Sequence, residues 1–359
     1  MTITSRCELS RWVWVIAAVP FLVLVATSAR YGYHRDEMYF IAAGSHPAFG
    51  YPDQPSLVPL LSWAMTRLAP GSLVVLRLPS ALVTAATAVL AALVSREIGG
   101  GRRAQVIAAG CTASSGFALA VGHIVSTTTF DLLSTTLLLW LMIRAVGHKS
   151  RAWVLAAGVT VGVGFEAKPQ VGVVAATLLV ALVVIGPRWP LRSWWTAAGV
   201  VVAVFLAAPY LIWQDAHGWP QLTVAHNIAG SAEGGRIGFV PFQLVMVSPV
   251  LVPVWAAGLL APFRRPALRP LRFVSLTYVL LAMAYIVGDG KAYYLASLYP
   301  ALLGLGSVPT AEWTLRARTR ARLITTAVIA SAAFSAVLAL PLLPETALQG
   351  SLPMAMNPD

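Results

Sequence analysis

Charge is what this chain has least of. Asp, Glu, Lys and Arg make up 11% of its 359 residues, against about 25% in an ordinary soluble chain. With 58% hydrophobic residues and a mean hydropathy of +0.76, that deficit excludes a soluble globular protein of this length. Acids are scarcer still, 13 against 25 Lys and Arg. The two cysteines, Cys7 and Cys111, fall in the N-terminal tail and inside an apolar run, which excludes a disulfide framework. No internal repeat or low-complexity tract is visible, so the repeated halves common in transporters are missing.

What the chain does have is long apolar runs. They fall at roughly 12–29, 73–95, 104–121, 129–146, 152–166, 170–186, 194–213, 243–262, 271–288, 293–309 and 322–341. Each approaches the ~20 residues that cross a bilayer as a helix. The expected fold is an all-α integral membrane protein with about eleven spans. The first run lacks a following small-residue cleavage site and reads as a retained helix.

Orientation follows from the basic residues. With the N-terminus inside and strict alternation, Arg6, Arg11, Arg96, Arg102, Arg103, Arg144, Lys149, Arg151, Arg188, Arg192, Arg264, Arg265, Arg269, Arg272, Arg316, Arg318, Arg320 and Arg322 all fall inside. Those eighteen of 25 basic residues satisfy the positive-inside rule. They also account for the net charge of +12 as attraction to anionic lipid, without nucleic acid as a partner. The C-terminus then lies outside. Ten of the 13 acids and five of the six histidines fall on that side too, which the rule does not require. Two long outer loops result, at about 30–72 and 214–242, in what reads as a multi-pass plasma-membrane protein.

The outer segments carry the polar clusters. Tyr31-Gly-Tyr-His-Arg-Asp-Glu-Met-Tyr-Phe40 sets Asp36 and Glu37 beside His34 and Arg35, just past the first span. Adjacent acids in a loop are often only solvated surface or an anchor. A partly desolvated carboxylate there can also act as general base toward a hydroxyl. The stretch 37–46 fits a short interfacial helix, followed by a turn-rich Gly50-Tyr-Pro-Asp-Gln-Pro55. Asp131 follows Ser126-Thr-Thr-Thr-Phe130 and reads either as part of a helix cap or as a functional acid. In Phe165-Glu-Ala-Lys-Pro-Gln170, Lys168 either pairs with Glu166 or holds a phosphate as a point charge. His226 in the second loop has a structural reading as well as a functional one. Lys291, Tyr293 and Tyr294 offer one cation and two hydroxyl donors, or an aromatic belt with a snorkelling lysine. The spacing of Gly158 and Gly162 allows two helices to pack closely.

Taken in this order, these residues resemble the GT-C membrane glycosyltransferases. The likeness is to glycosyltransferase family 39, which includes the protein O-mannosyltransferases and the lipid A aminoarabinose transferases. His34-Arg-Asp-Glu37 looks like that family's acidic motif in the first exoplasmic loop, with Asp36 at the catalytic aspartate. Asp131, Lys168 and His226 sit where the family has a second-loop acid, a hairpin lysine and a later-loop histidine, and Lys291 through Pro300 resembles its lysine–tyrosine segment. The resemblance implies transfer of a sugar from a polyprenyl-phosphate donor to a hydroxyl on a protein, lipid or glycan, at the exoplasmic face. Asp36 would be the base with Glu37 positioning it. His34, Arg35, Lys168, His226, Lys291, Tyr293 and Tyr294 would serve the donor phosphate. A divalent metal cation would have Asp36 and Asp131 as ligands. Relatives usually continue past the last span, so the expected layout is a transmembrane module over 1–345 and a short tail, 346–359, in place of the usual exoplasmic domain. The competing readings are a transporter or lipid flippase, and a non-catalytic relative that binds the lipid-linked sugar.

Overall fold

A computed structural model describes residues 8–229 and 235–342; the tail 346–359 and Glu233 lie outside the described residues. The described chain is helical, with one isolated β-bridge between Gly50 and Pro55. In chain order the helices are α1 (Arg11–Thr27), α2 (Arg35–Gly44), α3 (Leu57–Leu68), α4 (Leu73–Glu97), α5 (Arg102–Ala113), α6 (Gly116–His123), α7 (Thr127–His148) and α8 (Arg151–Phe165). There follow α9 (Gln170–Ile185), α10 (Trp194–Ala216), α11 (Pro220–Ala229), α12 (Gly235–Val247), α13 (Val252–Arg264), α14 (Arg272–Val287), α15 (Tyr299–Leu315) and α16 (Arg318–Ala339). A 3₁₀ segment, Ala292–Leu298, leads into α15.

Every apolar run of the sequence coincides with a helix or a pair of helices. By length and apolarity, five segments are long enough to cross a bilayer, or seven if each of two bent pairs counts as one span. Helices α1, α3, α8 and α9 are apolar but shorter. The molecule is thus a multi-pass membrane protein, and the number eleven is not what helix length alone gives.

Two of the expected continuous spans are broken. Run 104–121 bends by 56° between α5 and α6, and run 243–262 bends by 83° between α12 and α13. A break in a membrane helix frees backbone carbonyls, which must find donors. At the first bend the Ser114 carbonyl accepts from the hydroxyls of Ser331 (2.8 Å) and Ser335 (2.9 Å) on α16. The Ser115 hydroxyl in turn donates to Met246 of the second bent pair at 3.2 Å. At that second bend Ser248 takes φ 82° and Pro249 brings no N–H, so the helix cannot run on.

Long α4 ties the two membrane boundaries together. Near its start Arg77 pairs with Glu37, and at its end Glu97 pairs with Arg144 and with His148 (3.1 Å). Twenty residues of helix separate Arg77 from Glu97, about 30 Å at 1.5 Å per residue, which matches the hydrocarbon core of a bilayer. Between these polar ends the core is built from Leu138, Leu139, Val174, Leu182, Phe273, Leu302 and their neighbours, all buried. Close packing relies on glycine where two helices touch. An added Cβ on Gly158 would lie 2.4 Å from the Gly199 carbonyl oxygen of α10, so α8 and α10 meet backbone to backbone.

The long first outer loop is itself helical. The expected short helix at 37–46 appears as α2, and a second helix, α3, follows it. Helix α2 starts where His34 Nδ1 accepts from the Asp36 N–H (3.2 Å) and Glu37 Oε2 accepts from the His34 N–H (2.9 Å), the reciprocal arrangement of a capping box.

Candidate functional site

A cavity of about 600 Å³ opens where the first loop, the α8–α9 hairpin, the start of α7, helix α11 and the 3₁₀ segment meet. Asp36, Tyr39, Asp53 and Gln54 line it from the first loop. Thr128 lines it from α7, Lys168 and Gln170 from the hairpin, and Tyr285, Tyr293 and Tyr294 from the side of α14 and the 3₁₀ segment. It lies at the Arg77 end of α4, since Asp36 is adjacent in sequence to Glu37.

Asp36 is half exposed and faces this cavity from the first turn of α2, with Arg35 Nε at 3.6 Å and His34 Nδ1 at 3.9 Å. Its neighbour Glu37 points the other way and is wholly buried. Arg77 donates to both Glu37 oxygens, at 2.8 and 2.7 Å, and the backbone N–H groups of His34 and Val125 donate at 2.9 and 3.0 Å. Burial raises the proton affinity of this carboxyl, but the Arg77 hydrogen bonds and charge and the two backbone donors outweigh it and hold it below the usual range. Glu37 has no free edge for substrate. It positions Asp36 by fixing the start of α2 to α4 and to the α6–α7 connection.

Opposite stands Lys168. Its ammonium donates to the Thr128 hydroxyl at 2.9 Å and lies 4.0 Å from the Asp131 carboxylate. The same nitrogen sits 5.4 and 5.1 Å from the ring centroids of Tyr293 and Tyr294, within range for cation–π attraction. Burial lowers its proton affinity, Asp131 raises it, and nearby Lys291 lowers it again. Lys291 also lies over the Tyr293 ring, at 5.9 Å. The two tyrosines are packed edge to face at 5.0 Å, so two lysines and two aromatic rings form one block.

The structure therefore brings Asp36, Lys168, Tyr293 and Tyr294 to one cavity, with Arg35 and Lys291 adjoining. Glu37 and His34 lie behind Asp36 as helix-start ligands. His226 is exposed on α11; its neighbour Ala225, not its own side chain, is on the cavity wall. The metal pairing of Asp36 with Asp131 is corrected by the geometry. Asp131 is 1% exposed, is held by Thr135 at 2.9 Å, and already has the Lys168 ammonium as counter-charge. Among the described residues no group of three His, Cys, Asp or Glu side chains converges. The expected pair thus does not suit a shared divalent ion, and no chemical step is drawn through one.

Three contributors escaped the sequence. Asp53 lines the cavity and accepts a hydrogen bond from the Tyr39 hydroxyl, whose own ionisation burial and this bond push up. Gln170 donates to the Tyr294 carbonyl and so pins the 3₁₀ segment to the hairpin. Arg77 lies inside an apolar run, and a lone arginine in a span is the sequence signal that marks it.

Comparison with known proteins places this architecture. Residues 53–213 match the family model described as dolichyl-phosphate-mannose-protein mannosyltransferase. A search of curated proteins finds no match. Among solved structures, ArnT from Cupriavidus metallidurans bound to undecaprenyl phosphate superposes with TM-score 0.72 at 18% identity, covering 93% of this chain and 66% of that one. The Archaeoglobus fulgidus oligosaccharyltransferase complex with zinc and sulfate gives TM-score 0.62 at 17% identity, over 97% of this chain and 56% of that one. Arabinofuranosyltransferase AftD from Mycobacteria gives 0.59 at 18% identity, over 98% of this chain and 29% of that one. The chain thus spans less than two thirds of the length of each of these structures. It has the fold of the GT-C membrane glycosyltransferases and, over residues 53–213, the sequence pattern of the dolichyl-phosphate-mannose-protein mannosyltransferases.

Proposed function

We propose that the protein transfers a sugar from a polyprenyl-phosphate donor to a hydroxyl acceptor on a protein, lipid or glycan, at the exoplasmic face of the plasma membrane. The observation that carries this reading is the opposition of charges across one cavity, the Asp36 carboxylate on one wall and Lys168 with Tyr293 and Tyr294 on the other.

The acceptor oxygen attacks the anomeric carbon of the donor sugar, and its proton passes to Asp36 as general base. The bond from the anomeric carbon to the phosphate oxygen breaks, and polyprenyl phosphate leaves. Lys168, Lys291 and Arg35 offset the charge that develops on that phosphate, and a tyrosine hydroxyl donates to it. Glu37 and Arg77 hold α2 so that Asp36 keeps its place. The topology that goes with this reading has the N-terminus inside, eleven crossings and the cavity outside. It is supported by the eighteen basic residues on the inner segments. ArnT was solved bound to undecaprenyl phosphate, a lipid with the chemistry of the leaving polyprenyl phosphate in this step.

The deciding assay uses membranes containing the wild-type protein or Asp36→Asn, supplied with a radiolabelled polyprenyl-phosphate sugar. Wild type should move label to an acceptor, and the variant should lose most of that transfer. Undiminished transfer by Asp36→Asn would remove Asp36 from the mechanism. Mass spectrometry of envelope glycans with and without the gene would name the sugar and the acceptor.

A further inference from the structure

Three helices begin at one end of the molecule, and each opens on arginine: Arg11 on α1, Arg102 and Arg103 on α5, Arg318, Arg320 and Arg322 on α16. Contacts fix their common level. The Arg102 guanidinium lies 5.7 Å from the Trp12 ring centroid, and Arg11 lies 5.6 Å from the same ring. The Ser10 N–H donates to Gln105 of α5 at 2.9 Å. On the other flank Val328 lies against Gly110, and the Ser331 hydroxyl donates to the Ser114 carbonyl. Helix α16 therefore runs parallel to α5 in constant register, which sets Arg320 level with Arg102. None of the three helices has an acid in its first turn. Among the described residues, none of these six arginines pairs with a carboxylate.

About one turn deeper, an apolar groove of about 400 Å³ opens between α1, α5, α6 and α16. It follows α16 from Ile324 to Leu340, a run of about 24 Å at 1.5 Å per residue. Val19 and Ile329 on its edges are 57% and 64% exposed, so it opens sideways. Its end nearest the arginines sits at the Glu97 end of α4, because α5 begins five residues after Glu97, and its far end reaches Leu340, packed with Leu24 and Ala81 toward the Arg77 end where the charged cavity lies.

We propose that this groove and its arginine collar form a site for one anionic phospholipid, an acyl chain in the groove and the phosphate among the guanidinium groups. An apolar groove facing lipid accepts any acyl chain. The collar supplies the selectivity, because a planar guanidinium binds phosphate oxygens in pairs and keeps its charge at any relevant pH. Basic residues at a membrane boundary attract anionic headgroups cumulatively. The Trp12 ring held between Arg11 and Arg102 keeps two of them in place. The phosphate-binding collar lies about a bilayer's thickness from Asp36, so headgroup selectivity and the transfer reaction are separately measurable.

The test is native mass spectrometry of the full chain released from nanodiscs of equal phosphatidylglycerol and phosphatidylcholine. Wild type should retain phosphatidylglycerol over phosphatidylcholine by about tenfold. The exposed double variant Arg102→Gln/Arg322→Gln should cut that preference roughly tenfold, and Val328→Trp should displace the lipid by filling the groove. Equal retention of the two lipids, or retention indifferent to both variants, overturns the proposal. So does a polyprenyl phosphate in the adduct, or a crosslink from position 328 to residues of the chain beyond 342.

Discussion

Arg77 and Glu37 form a two-pronged ion pair closed off from solvent, with Nε–Oε1 at 2.8 Å and Nη2–Oε2 at 2.7 Å. The remaining three arginine hydrogens go to the carbonyls of Ser28 (2.7 Å), Gly32 (2.7 Å) and Arg30 (3.4 Å), at the exit of α1. One guanidinium thus joins α1, α2 and α4 beneath the residue that faces the cavity.

Removing one partner of such a pair leaves a buried, uncompensated charge. Arg77→Ala should lower stability by about 3–5 kcal/mol, while the double variant Arg77→Met/Glu37→Met should recover a large part of that loss. Thermal unfolding of the detergent-solubilised protein reads both. Because the folded Glu37 carboxyl lies below its ordinary 4.5, its contribution is present at neutral pH and fades as pH falls through the folded value. The acid limb of the stability profile should flatten in Glu37→Met.

Lys168 combines a point charge with a ring cage. Lys168→Gln should raise the KM for a polyprenyl-phosphate sugar and lower kcat, with kcat/KM falling roughly 10- to 100-fold. Lys168→Arg should restore only part of this, because its wider fork does not fit the Thr128, Tyr293 and Tyr294 surroundings. Steady-state kinetics with a labelled donor separates the two, and wild-type values in Lys168→Gln would detach the lysine from the phosphate.

Glu166, which caps α8 beside this lysine, behaves oppositely to Glu37. Burial raises its carboxyl, a Ser56 hydrogen bond lowers it in part, and it comes to about 7. A raised carboxyl favours the folded state fully below the unfolded value near 4.5 and loses that contribution as pH rises through about 7. Wild-type stability should therefore decline between about pH 4.5 and pH 7 and level off above that, and Glu166→Gln should remove the decline. A carboxyl infrared band that titrates near pH 7 and vanishes in Glu166→Gln gives the direct check.

The α8–α10 seam rests on Gly158. A methyl group there meets the Gly199 backbone, which cannot swing aside as a side chain would. Gly158→Leu should cost at least about 1–3 kcal/mol and reduce the yield of folded protein. Gly101→Ala, with open space around its Cβ position, is the matched control.

Much of this was legible because the bilayer permits so few backbone arrangements. Each apolar run falls on a helix or a helix pair, although α3 and α11 lie outside every run, and the arginine-rich segments agree on a single side. Glycine spacing at Gly158 and Gly162 announced close packing, and both do lie against α10, at Gly199 and at Leu206 with Ala203. The acid pair at Asp36 and Glu37 pointed to the loop whose Asp36 lines the charged cavity.

Tertiary structure alone divided that pair. Composition cannot say which of two neighbouring carboxylates faces a cavity, because that depends on an arginine 40 residues away in sequence reaching one of them. Likewise Asp131 read as a metal ligand until Lys168, brought up by the α8–α9 hairpin, became its counter-ion. The two bent spans, at Ser114 and Ser248, were also beyond run length, since a break is tolerated only where distant hydroxyls meet the freed carbonyls. What the chain fixes by itself is where it must be apolar and where it carries charge. Which charges meet is set by long-range packing, since the low dielectric that makes an unpaired charge costly leaves each one to whatever partner the fold delivers.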